Sequence, residues 1–360
     1  MEIKIEERKE WKDLTNFSLN RKLPVYNWIW FREGFSREIV WKIMDMFDMR
    51  QTGSHHFGYN DPKGFQVLDP FCGSGTTLLA CKERGIGSVG IDRLPIAILA
   101  SRVKTRNYEK MQLREEAKKL FSREIEATSF VNPFERFFPK EASKELGFFR
   151  REIFKIEGEG VREFFLLALA ASAFQASWIF KDGDVLKARK RETRPLRKLL
   201  RFRVERMRRE LKTGEEARVM DRDPWDTGLD EGMIDGVITS PPYLKIVDYS
   251  KVYSVENWII GRESRTGHYS DEGKYFQDME KVLEELKRVC RPGAGIGIVI
   301  GTTYLPKEDR IVNSDLEFAR IAERVGLKAE RIIVLKKRFA LRNRTEKRGE
   351  LRESLVILRK

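Results

Sequence analysis

Two short runs of residues, far apart in the chain, have the side chains and backbone needed for chemistry on a bound ligand. The first is Asp-Pro-Phe-Cys-Gly-Ser-Gly-Thr-Thr at residues 69–77, and the second is Thr-Ser-Pro-Pro-Tyr at residues 239–243. The glycines of the first run are typical of a loop that holds a cofactor. The hydroxyl and carbonyl oxygens of the second can accept hydrogen bonds from a flat, amino-bearing ring. Group transfer from a cofactor to an amine needs such a pair of loops.

The first run lies between a predicted strand and a predicted helix. Turning directly from one into the other requires unusual backbone angles, and a ligand must approach the backbone closely; Gly73 and Gly75 meet both requirements. Asp69 at the strand end can bind a cationic amine. Asp92 ends the next predicted strand, where a carboxylate commonly binds a pair of ribose hydroxyls. A nicotinamide or flavin dinucleotide matches less well, because the run lacks the G-x-G-x-x-G pattern, and no Gly-Lys-Ser/Thr follows to make a P-loop.

The whole run at residues 69–77 is more specific than its glycines alone. It resembles the S-adenosylmethionine (SAM) binding motif of the amino-methyltransferases of DNA and RNA, which methylate exocyclic amines of nucleobases. The resemblance implies SAM as the cofactor, with the loop backing its methionine part and Cys72 acting as a small loop residue rather than a nucleophile. The cofactor-binding residues implied by this run and the next strand are Asp69, Pro70, Phe71, Gly73, Gly75, Thr76, Thr77 and Asp92.

The second run follows a predicted strand, as the same family requires. The exocyclic amine of a base is a poor nucleophile, because its lone pair is delocalised into the ring, so the enzyme must hold the amine with acceptors and place it in line with the methyl group. Ser240 Oγ and the Pro241 carbonyl are the candidate acceptors, and Pro242 stiffens the loop further. Tyr243 can stack on an extruded base. We predict these four residues as catalytic; an ordinary Pro-Pro turn is the alternative.

The identity of the first residue in the Ser-Pro-Pro-Tyr motif bears on the target base. Ser240 resembles the cytosine-N4 members of the family, whereas Asn or Asp is commoner in adenine-N6 and guanine-N2 enzymes. The Pro-Cys-Gln type nucleophile loop of cytosine-C5 enzymes is absent. Residues 244–258 also resemble a branch of this family, in which Asp248 and Tyr249 either shape the base pocket or begin a helix.

Three other segments resemble the same branch. Residues 31–36 resemble the segment that covers SAM, which adds Phe35 and Ser36 to the predicted cofactor residues. Asp223 precedes the catalytic loop at the spacing where the family has an acid for the adenine amino group, and Asp221 is the alternative. Residues 352–358 resemble the last strand of the fold.

The alternation of strand and helix patterns predicts an α/β fold. We expect a Rossmann-like class I SAM methyltransferase sheet, mostly parallel, with an antiparallel C-terminal hairpin and a helical insertion. The predicted domains are an N-terminal aromatic segment at 1–62, the methyltransferase domain at 63–105 and 217–360, and a basic helical insertion at 106–216. Predicted helices cover residues 36–47, 77–84, 95–105, 277–289 and 316–325. Predicted strands cover 65–68, 88–92, 217–220, 234–239, 295–301, 331–335 and 355–358, the last two joined by a basic loop over 336–352.

Positive charge predicts a polyanionic partner. The chain of 360 residues has 70 Lys and Arg against 56 Asp and Glu, for a net charge of +14. The alternative to a polyanionic partner is that the chain is simply rich in charged residues of both signs, as thermophilic proteins often are. Residues 187–212 contain 13 of the basic residues, and a helical pattern follows Pro195. We expect phosphate contacts from Arg189, Lys190, Arg191, Arg201, Arg208, Arg209, Arg342 and Arg344.

The basic helical insertion at 106–216 also helps to predict whether the substrate is RNA or DNA. A basic helical segment suits the reading of backbone and shape better than the reading of base edges, which favours structured RNA such as ribosomal RNA. Site-specific methylation of DNA at cytosine N4 or adenine N6 is the alternative. A non-catalytic nucleic-acid-binding relic of the fold is a third hypothesis, which an intact Ser-Pro-Pro-Tyr argues against.

The remaining chemistry-bearing residues predict neither a metal site nor a membrane span. The three cysteines form no C-x-x-C pair, and His55, His56 and His268 are interpreted as loop residues. The N-terminus is charged and lacks a signal-peptide core. The longest apolar stretch, residues 164–180, falls short of a membrane span and is predicted to be a buried helix, so we expect a cytoplasmic protein.

Overall fold

One mixed sheet organises the chain. The computed structural model describes residues 3–31, 34–50, 64–126, 131–183, 185–244, 248–264, 269, 271–342 and 346–360. The strands are β1 (Lys4–Glu7), β2 (Gln66–Asp69), β3 (Gly87–Asp92), β4 (Ile179–Asp182), β5 (Val185–Ala188), β6 (Arg218–Asp221), β7 (Ile234–Thr239), β8 (Cys290–Gly301), β9 (Thr303–Leu305), β10 (Arg310–Val312), β11 (Lys328–Arg342) and β12 (Glu346–Arg359).

Helices lie between most of these strands. They are α1 (Arg37–Met46), α2 (Thr76–Glu83), α3 (Pro95–Thr105), α4 (Lys110–Ser122), α5 (Lys140–Phe154), α6 (Glu159–Gln175), α7 (Leu196–Glu210), α8 (Tyr249–Val252), α9 (Ser254–Ile259), α10 (Glu272–Val289) and α11 (Ser314–Val325). Short 3-10 helices cover Lys9–Thr15, Phe17–Lys22, Tyr26–Trp28 and Glu135–Phe137. The predicted α1, α2, α3 and α11 are confirmed to within about two residues at each end, the usual uncertainty of helix ends.

The sheet has the order β6-β3-β2-β7-β8-β12-β11-β1. The first five of these strands are parallel to their neighbours, and β12 is antiparallel to both β8 and β11. This arrangement confirms the expected Rossmann-like methyltransferase sheet with an antiparallel C-terminal hairpin. The carboxyl ends of the parallel strands meet at one edge, where open α/β sheets bind their ligands.

Amphipathic helices cover both faces of the sheet with their apolar sides. On one face, Ile39 and Ile43 of α1 pack with Val67 and Ile238 of the central strands. On the other face, α10 and α11 pack through residues such as Leu283 and Phe318. The strands β2 and β7 are therefore buried on both sides, which explains their continuous apolar sequence.

The insertion over 106–216 is helical, and none of its elements belongs to the main sheet. Its helix α6 packs between α3 and α7, and most of its side chains are fully buried, as predicted for the apolar stretch. The strands β4 and β5 add a short antiparallel hairpin that the sequence pattern did not predict. Within the described ranges, no helix combines the length and the apolar character that crossing a membrane requires.

Two predictions about the sheet were wrong. The segment over 336–352 is not a basic loop, because β11 and β12 continue as one long antiparallel hairpin as far as residues 342 and 346. Its side chains are mostly exposed there, so the apolar alternation that identifies a strand is missing. The strand β1 was also missed; it is four residues long and mostly exposed, and it pairs with β11 at the sheet edge.

Candidate active site

A cavity of about 570 Å³ opens at the carboxyl edge of the sheet. The cofactor loop and the catalytic loop both line it, together with the segment before α1 and the start of α10. Its lining residues are Phe31, Gly34, Phe35, Asp69, Pro70, Phe71, Cys72, Gly73, Ser74, Thr76, Asp92, Arg93, Leu94, Pro224, Trp225, Ser240, Pro242, Tyr249, Tyr269, Asp271, Lys274 and Asp278. The structure thus brings the two predicted loops, separated by about 160 residues in sequence, into one site.

The cofactor loop needs its glycines for conformation and for space. Gly73 and Gly75 have φ angles of +50° and +80°, which side chains rarely adopt. A Cβ on Gly75 would lie 2.8 Å from Ser101 Oγ of α3. The same hydroxyl donates to the Gly73 carbonyl at 2.9 Å, and Lys104 Nζ donates to the Ser74 carbonyl at 2.9 Å. Two donors one helical turn apart on α3 therefore fix consecutive carbonyls of the loop.

A buried carboxylate, that of Asp69, and a half-buried one, that of Asp92, lie at the ends of neighbouring strands. Asp69, only 1% exposed, accepts hydrogen bonds at Oδ1 from Thr239 Oγ1 at 2.6 Å and from the Phe71 amide at 3.2 Å. Burial raises the pKa of Asp69 to about 6. Asp92 accepts from the Gly73 amide at 2.8 Å and from two amides that follow it, and burial raises its pKa as well. Neither group forms an ion pair with a described residue, which suits a ligand with an amine and with hydroxyl donors.

Only part of the catalytic loop reaches the cavity surface. Ser240 and Pro242 line the cavity, whereas Pro241 is buried. The ring of Tyr243 lies against Gly301, where an added Cβ would be 2.8 Å from the ring, and it is not among the lining residues. A side-chain hydrogen bond joins Tyr243 to Ser240, and burial raises the pKa of the phenol. The position of Tyr243 therefore differs from the base-stacking position expected from the sequence.

Asp248 and Tyr249, which follow the catalytic loop, were each expected either to shape the base pocket or to begin a helix. Asp248 is the N-cap of α8, and its carboxylate accepts from the Lys251 amide and the Ser250 hydroxyl. Tyr249 instead lines the cavity. Asp248 thus begins a helix, and Tyr249 supplies the aromatic surface that we had expected from Tyr243. Residues 245–247 lie outside the described part of the chain.

Four predicted cofactor residues do not line the cavity. Ser36 is a fully buried helix cap that accepts from the Ile39 amide, which corrects its expected contact with the cofactor. Gly75 faces α3, and Thr77 Oγ1 donates to the Ile238 carbonyl at 3.4 Å. Asp223 forms an ion pair with Arg93 at 3.0 Å, while the next two residues, Pro224 and Trp225, line the cavity in its place.

Sequence reasoning missed the wall contributed by α10. Asp271, Lys274 and Asp278 line the cavity from successive turns of one helix face. Their spacing of three and four residues, at the border of the apolar face of the helix, was a usable signal. We had placed the helix start at residue 277, and the Asp271 cap, which accepts from the Lys274 amide at 2.6 Å, was overlooked.

Among the residues predicted to bind nucleic acid, Arg189, Lys190, Arg191, Arg201, Arg208 and Arg209 do not line this cavity. Arg191 donates to the Ser177 carbonyl, and Arg208 and Arg209 both form ion pairs with Glu205. Arg201 is exposed on α7, and exposed Arg189 and Lys190 follow β5. Arg208 and Arg209, two of the expected phosphate contacts, are thus already paired with a carboxylate. Arg342 ends β11, and Arg344 lies outside the described residues.

In the described part of the chain, no cluster of three or more His, Cys, Asp or Glu side chains has an arrangement that could hold a metal ion. His55, His56 and His268 lie outside that part. Cys72 is buried beside Ser101, and burial raises the pKa of its thiol, which suits the predicted role as a small loop residue.

Known methyltransferases are similar to this chain, both at the cofactor loop and over most of its length. Residues 60–99 match the N6_N4_Mtase family, which is described as DNA methylase. The whole chain is similar to the Type II methyltransferase M.BsoBI of Geobacillus stearothermophilus, with 23% identity covering 97% of this chain and 88% of that protein. The Type II methyltransferase M.AvaI of Nostoc is 22% identical, covering 97% of this chain and 89% of its own.

A solved structure from Thermus thermophilus, titled a putative DNA modification methylase complexed with S-adenosyl-L-methionine, is 18% identical. It covers 37% of this chain and 47% of its own, with a TM-score of 0.26. The comparisons agree with the expected SAM-dependent methyltransferase. The family description names DNA, so it favours the DNA alternative over the structured RNA that we expected first.

Proposed function

We propose that this chain is a SAM-dependent DNA methyltransferase that modifies the N4 amine of cytosine. The observation that carries the proposal is the single cavity into which both loops open, with Asp69 and Asp92 on one side and Ser240 on the other. A cofactor and a target base can therefore meet without a large rearrangement of the sheet.

The residues of the cofactor loop fit SAM. Asp69 offers a buried carboxylate to an ammonium group, and Asp92 offers acceptors to ribose hydroxyls. Gly73 and Phe31 both line the cavity, and an added Cβ on Gly73 would lie 3.4 Å from the Phe31 ring, so loop and ring form one continuous wall. When bound, SAM supplies a methyl group on a positively charged sulfur. Trp225 and Arg93, at the ends of neighbouring strands, offer a ring and a cation near the expected adenine position.

Ser240 is the residue that we place at the reacting amine. Its Oγ can accept a hydrogen bond from the amine, and the lone pairs of Oγ are available when its own proton is donated to Tyr243. Tyr243 is then a positioning residue that orients Ser240. Tyr249 provides the aromatic surface against which an extruded cytosine can stack.

DNA is the better supported substrate. The similarity to Type II methyltransferases extends over 97% of the chain, so it includes the insertion as well as the two loops. The choice of cytosine N4 rests on Ser240 as the first residue of the motif and remains a proposal from resemblance.

Replacement of Ser240 tests the catalytic assignment. Ser240→Ala should lower the methyl-transfer rate on DNA by about a hundredfold or more, because one oriented hydrogen-bond partner of the reacting group is lost. SAM affinity, measured by calorimetry, should stay unchanged. Ser122→Ala on α4, an exposed serine outside the cavity, is the matched control. A Ser240→Ala variant with the turnover of the unmodified protein would refute the role.

A further inference from the structure

A second cavity, of about 240 Å³, lies beside the first and shares no lining residue with it. The aromatic segment before the cofactor loop forms one wall, and α6, β4, α7 and α9 form the others. Its lining residues are Phe17, Arg21, Asn27, Trp28, Ile29, Trp30, Ala170, Ala171, Phe174, Gln175, Lys181, Arg203, Arg206 and Glu256. The inward face of the basic helix α7 therefore contributes to a cavity, not only to packing.

A pair of stacked rings separates the two cavities. Trp30 lines the second cavity, and the next residue, Phe31, lines the first. The Phe31 ring stacks on Tyr253 with centroids 4.8 Å apart and an angle of 11°. Lys181, a lining residue of the second cavity, places its Nζ 3.9 Å from the centroid of the Tyr253 ring. A polymer that delivers a base into the first cavity would have its neighbouring residues close to the second.

The lining of the second cavity is rich in positive charge. It contains Arg21, Lys181, Arg203 and Arg206, against the single carboxylate of Glu256. Lys181 and Glu256 neutralise each other through an ion pair at 2.6 Å. Three arginines are left, and Glu210 acts on two of them: its carboxylate lies 3.8 Å from Arg206 Nε, and its charge partly offsets the effect of burial on the pKa of Arg203.

Arg203 is the most informative of these arginines. The residue is only 8% exposed, yet it makes no salt bridge with any carboxylate in the described part of the chain. Its Nε donates to Ser172 Oγ at 3.1 Å and its Nη1 to the Trp28 carbonyl at 2.9 Å, while Nη2 has no partner among the described residues. Burial lowers the pKa of Arg203 to about 10. Glu210 offsets the buried charge only in part, with no direct salt bridge, and an anionic ligand would supply a counter-charge in contact with Arg203.

The mouth of this cavity carries an aromatic surface. Trp30 is 41% exposed, although large apolar side chains usually lie inside. The Arg21 guanidinium lies 3.6 Å from the centroid of the Trp30 ring, and Phe17 meets the same ring edge-on. Exposed aromatic rings beside cations are the combination that binds nucleic-acid strands, with bases on the rings and phosphates on the cations.

We propose that the second cavity binds one nucleotide of the substrate strand next to the target base, with its phosphate on Arg203 and its base against Trp30. The inference rests on the proposed function, since it assumes a nucleic-acid strand at the first cavity. The volume is below that of a typical pocket for a drug-sized ligand and suits a single nucleotide.

Binding measurements on the full chain test this subsite. The probes are short duplex DNA of randomised sequence, cytidine monophosphate and SAM, each titrated into the unmodified protein and into a double variant, Arg21→Ala with Trp30→Ala. The double variant should weaken DNA binding by at least about tenfold, because it removes a stacking surface and a phosphate partner. Its affinity for SAM should not change. Arg320→Ala, which removes an exposed arginine on α11 at the opposite face of the sheet, is the charge-matched control.

Arg203→Met provides a second variant, which removes the buried charge while keeping a long side chain. Weakened DNA binding in both variants would support the subsite. Unchanged DNA affinity in the double variant would overturn it even if Arg203→Met fails to fold. Binding of cytidine monophosphate that depends on Trp30, without any effect on DNA, would indicate a free-nucleotide site and would also overturn it. Failure of the proposed function is distinct, because the unmodified protein would then methylate no DNA.

Discussion

Asp69 shows how a single residue couples the cofactor to pH. Its carboxylate is buried, it accepts hydrogen bonds from Thr239, Thr77 and the Phe71 amide, and burial raises its pKa to about 6. A bound ammonium group would favour the ionised form. The free protein therefore holds a carboxylate that is partly protonated in mildly acidic solution, and binding of the cofactor must remove that proton.

This gives a prediction about pH. SAM affinity should fall as pH decreases through about 6, because protonation of Asp69 removes the partner of the amine. Asp69→Asn should abolish this dependence and bind SAM weakly at every pH, since an amide carries no charge. Calorimetric titrations between acidic and neutral pH check both outcomes. An affinity of the unmodified protein that is flat across this range would contradict the role of Asp69.

The same residue has a consequence for stability. Its pKa is higher in the folded than in the unfolded chain, so the folded state binds more protons between about pH 4 and 6 and loses stability as pH rises through that window. Asp69→Asn should accordingly raise the free energy of unfolding at neutral pH, by at most about 3 kcal/mol, and give no gain below pH 4. Thermal unfolding curves at the two pH values measure the difference.

The sequence predicted which two loops meet at the site, but it did not predict the position of every side chain in them. The loop residues Asp69 and Ser240 line one cavity, because the motif that contains each of them directly follows a parallel strand. The local pattern could not decide between Tyr243 and Tyr249 as the base-facing ring. That choice depends on Gly301, a residue of a neighbouring strand, whose missing side chain leaves the space that Tyr243 fills.

Among the elements, strands β2 and β7 are joined at their carboxyl ends by a side-chain bond. Thr239 is the last residue of β7 and directly precedes Ser240, and its Oγ1 donates to Asp69 at the end of β2 at 2.6 Å. The bond ties the residue that precedes the catalytic serine to the carboxylate that we assign to the cofactor amine. The two loops should therefore respond together when it is removed.

Thr239→Val tests this link, because the two side chains have the same shape and only the hydroxyl is lost. Without that donor the pKa of Asp69 should rise further, so the pH at which SAM affinity is half lost should move upward, and turnover should fall as well. Thr239→Ser keeps the hydroxyl and is the control. If Thr239→Val changed neither the pH midpoint nor turnover, the two loops would not be linked through this bond.

Elements with one buried face could be predicted from the sequence, and elements with two exposed faces could not. Helix α1 was predicted from Ser36 onward because its cap and its apolar positions are both local signals. The outer part of the β11–β12 hairpin has solvent on both sides, so no apolar period marks it. The hairpin β4–β5 is short and mostly exposed, and escaped prediction for the same reason.

At the scale of the whole molecule, the net charge of +14 makes salt dependence the natural measure of nucleic-acid binding. The exposed basic side chains of α7 differ in whether a carboxylate already competes with phosphate for them. Arg208 and Arg209 share Glu205, whereas Arg201 on the same helix is exposed and makes no ion pair with the described residues. All three arginines were expected to contact phosphate, and the structure favours Arg201 over Arg208 and Arg209 for this role.

Arg201→Ala should lower the slope of the logarithm of DNA affinity against the logarithm of salt concentration by about 1, because one phosphate contact releases about one counterion. Arg209→Ala should have a smaller effect, since Glu205 already competes for that side chain. Fluorescence anisotropy with labelled DNA over a range of salt concentrations gives the slopes. An unchanged slope for Arg201→Ala would mean that this face of α7 meets only solvent.

The central claim is the transfer of a methyl group to a cytosine amine in DNA, and the identity of the product tests it most directly. The protein is incubated with isotopically labelled SAM and either unmethylated genomic DNA or total RNA, which are then digested to nucleosides for mass spectrometry. We expect labelled N4-methyldeoxycytidine from DNA and no label from RNA. Label in N6-methyldeoxyadenosine, in a ribonucleoside, or in no nucleoside at all would contradict it.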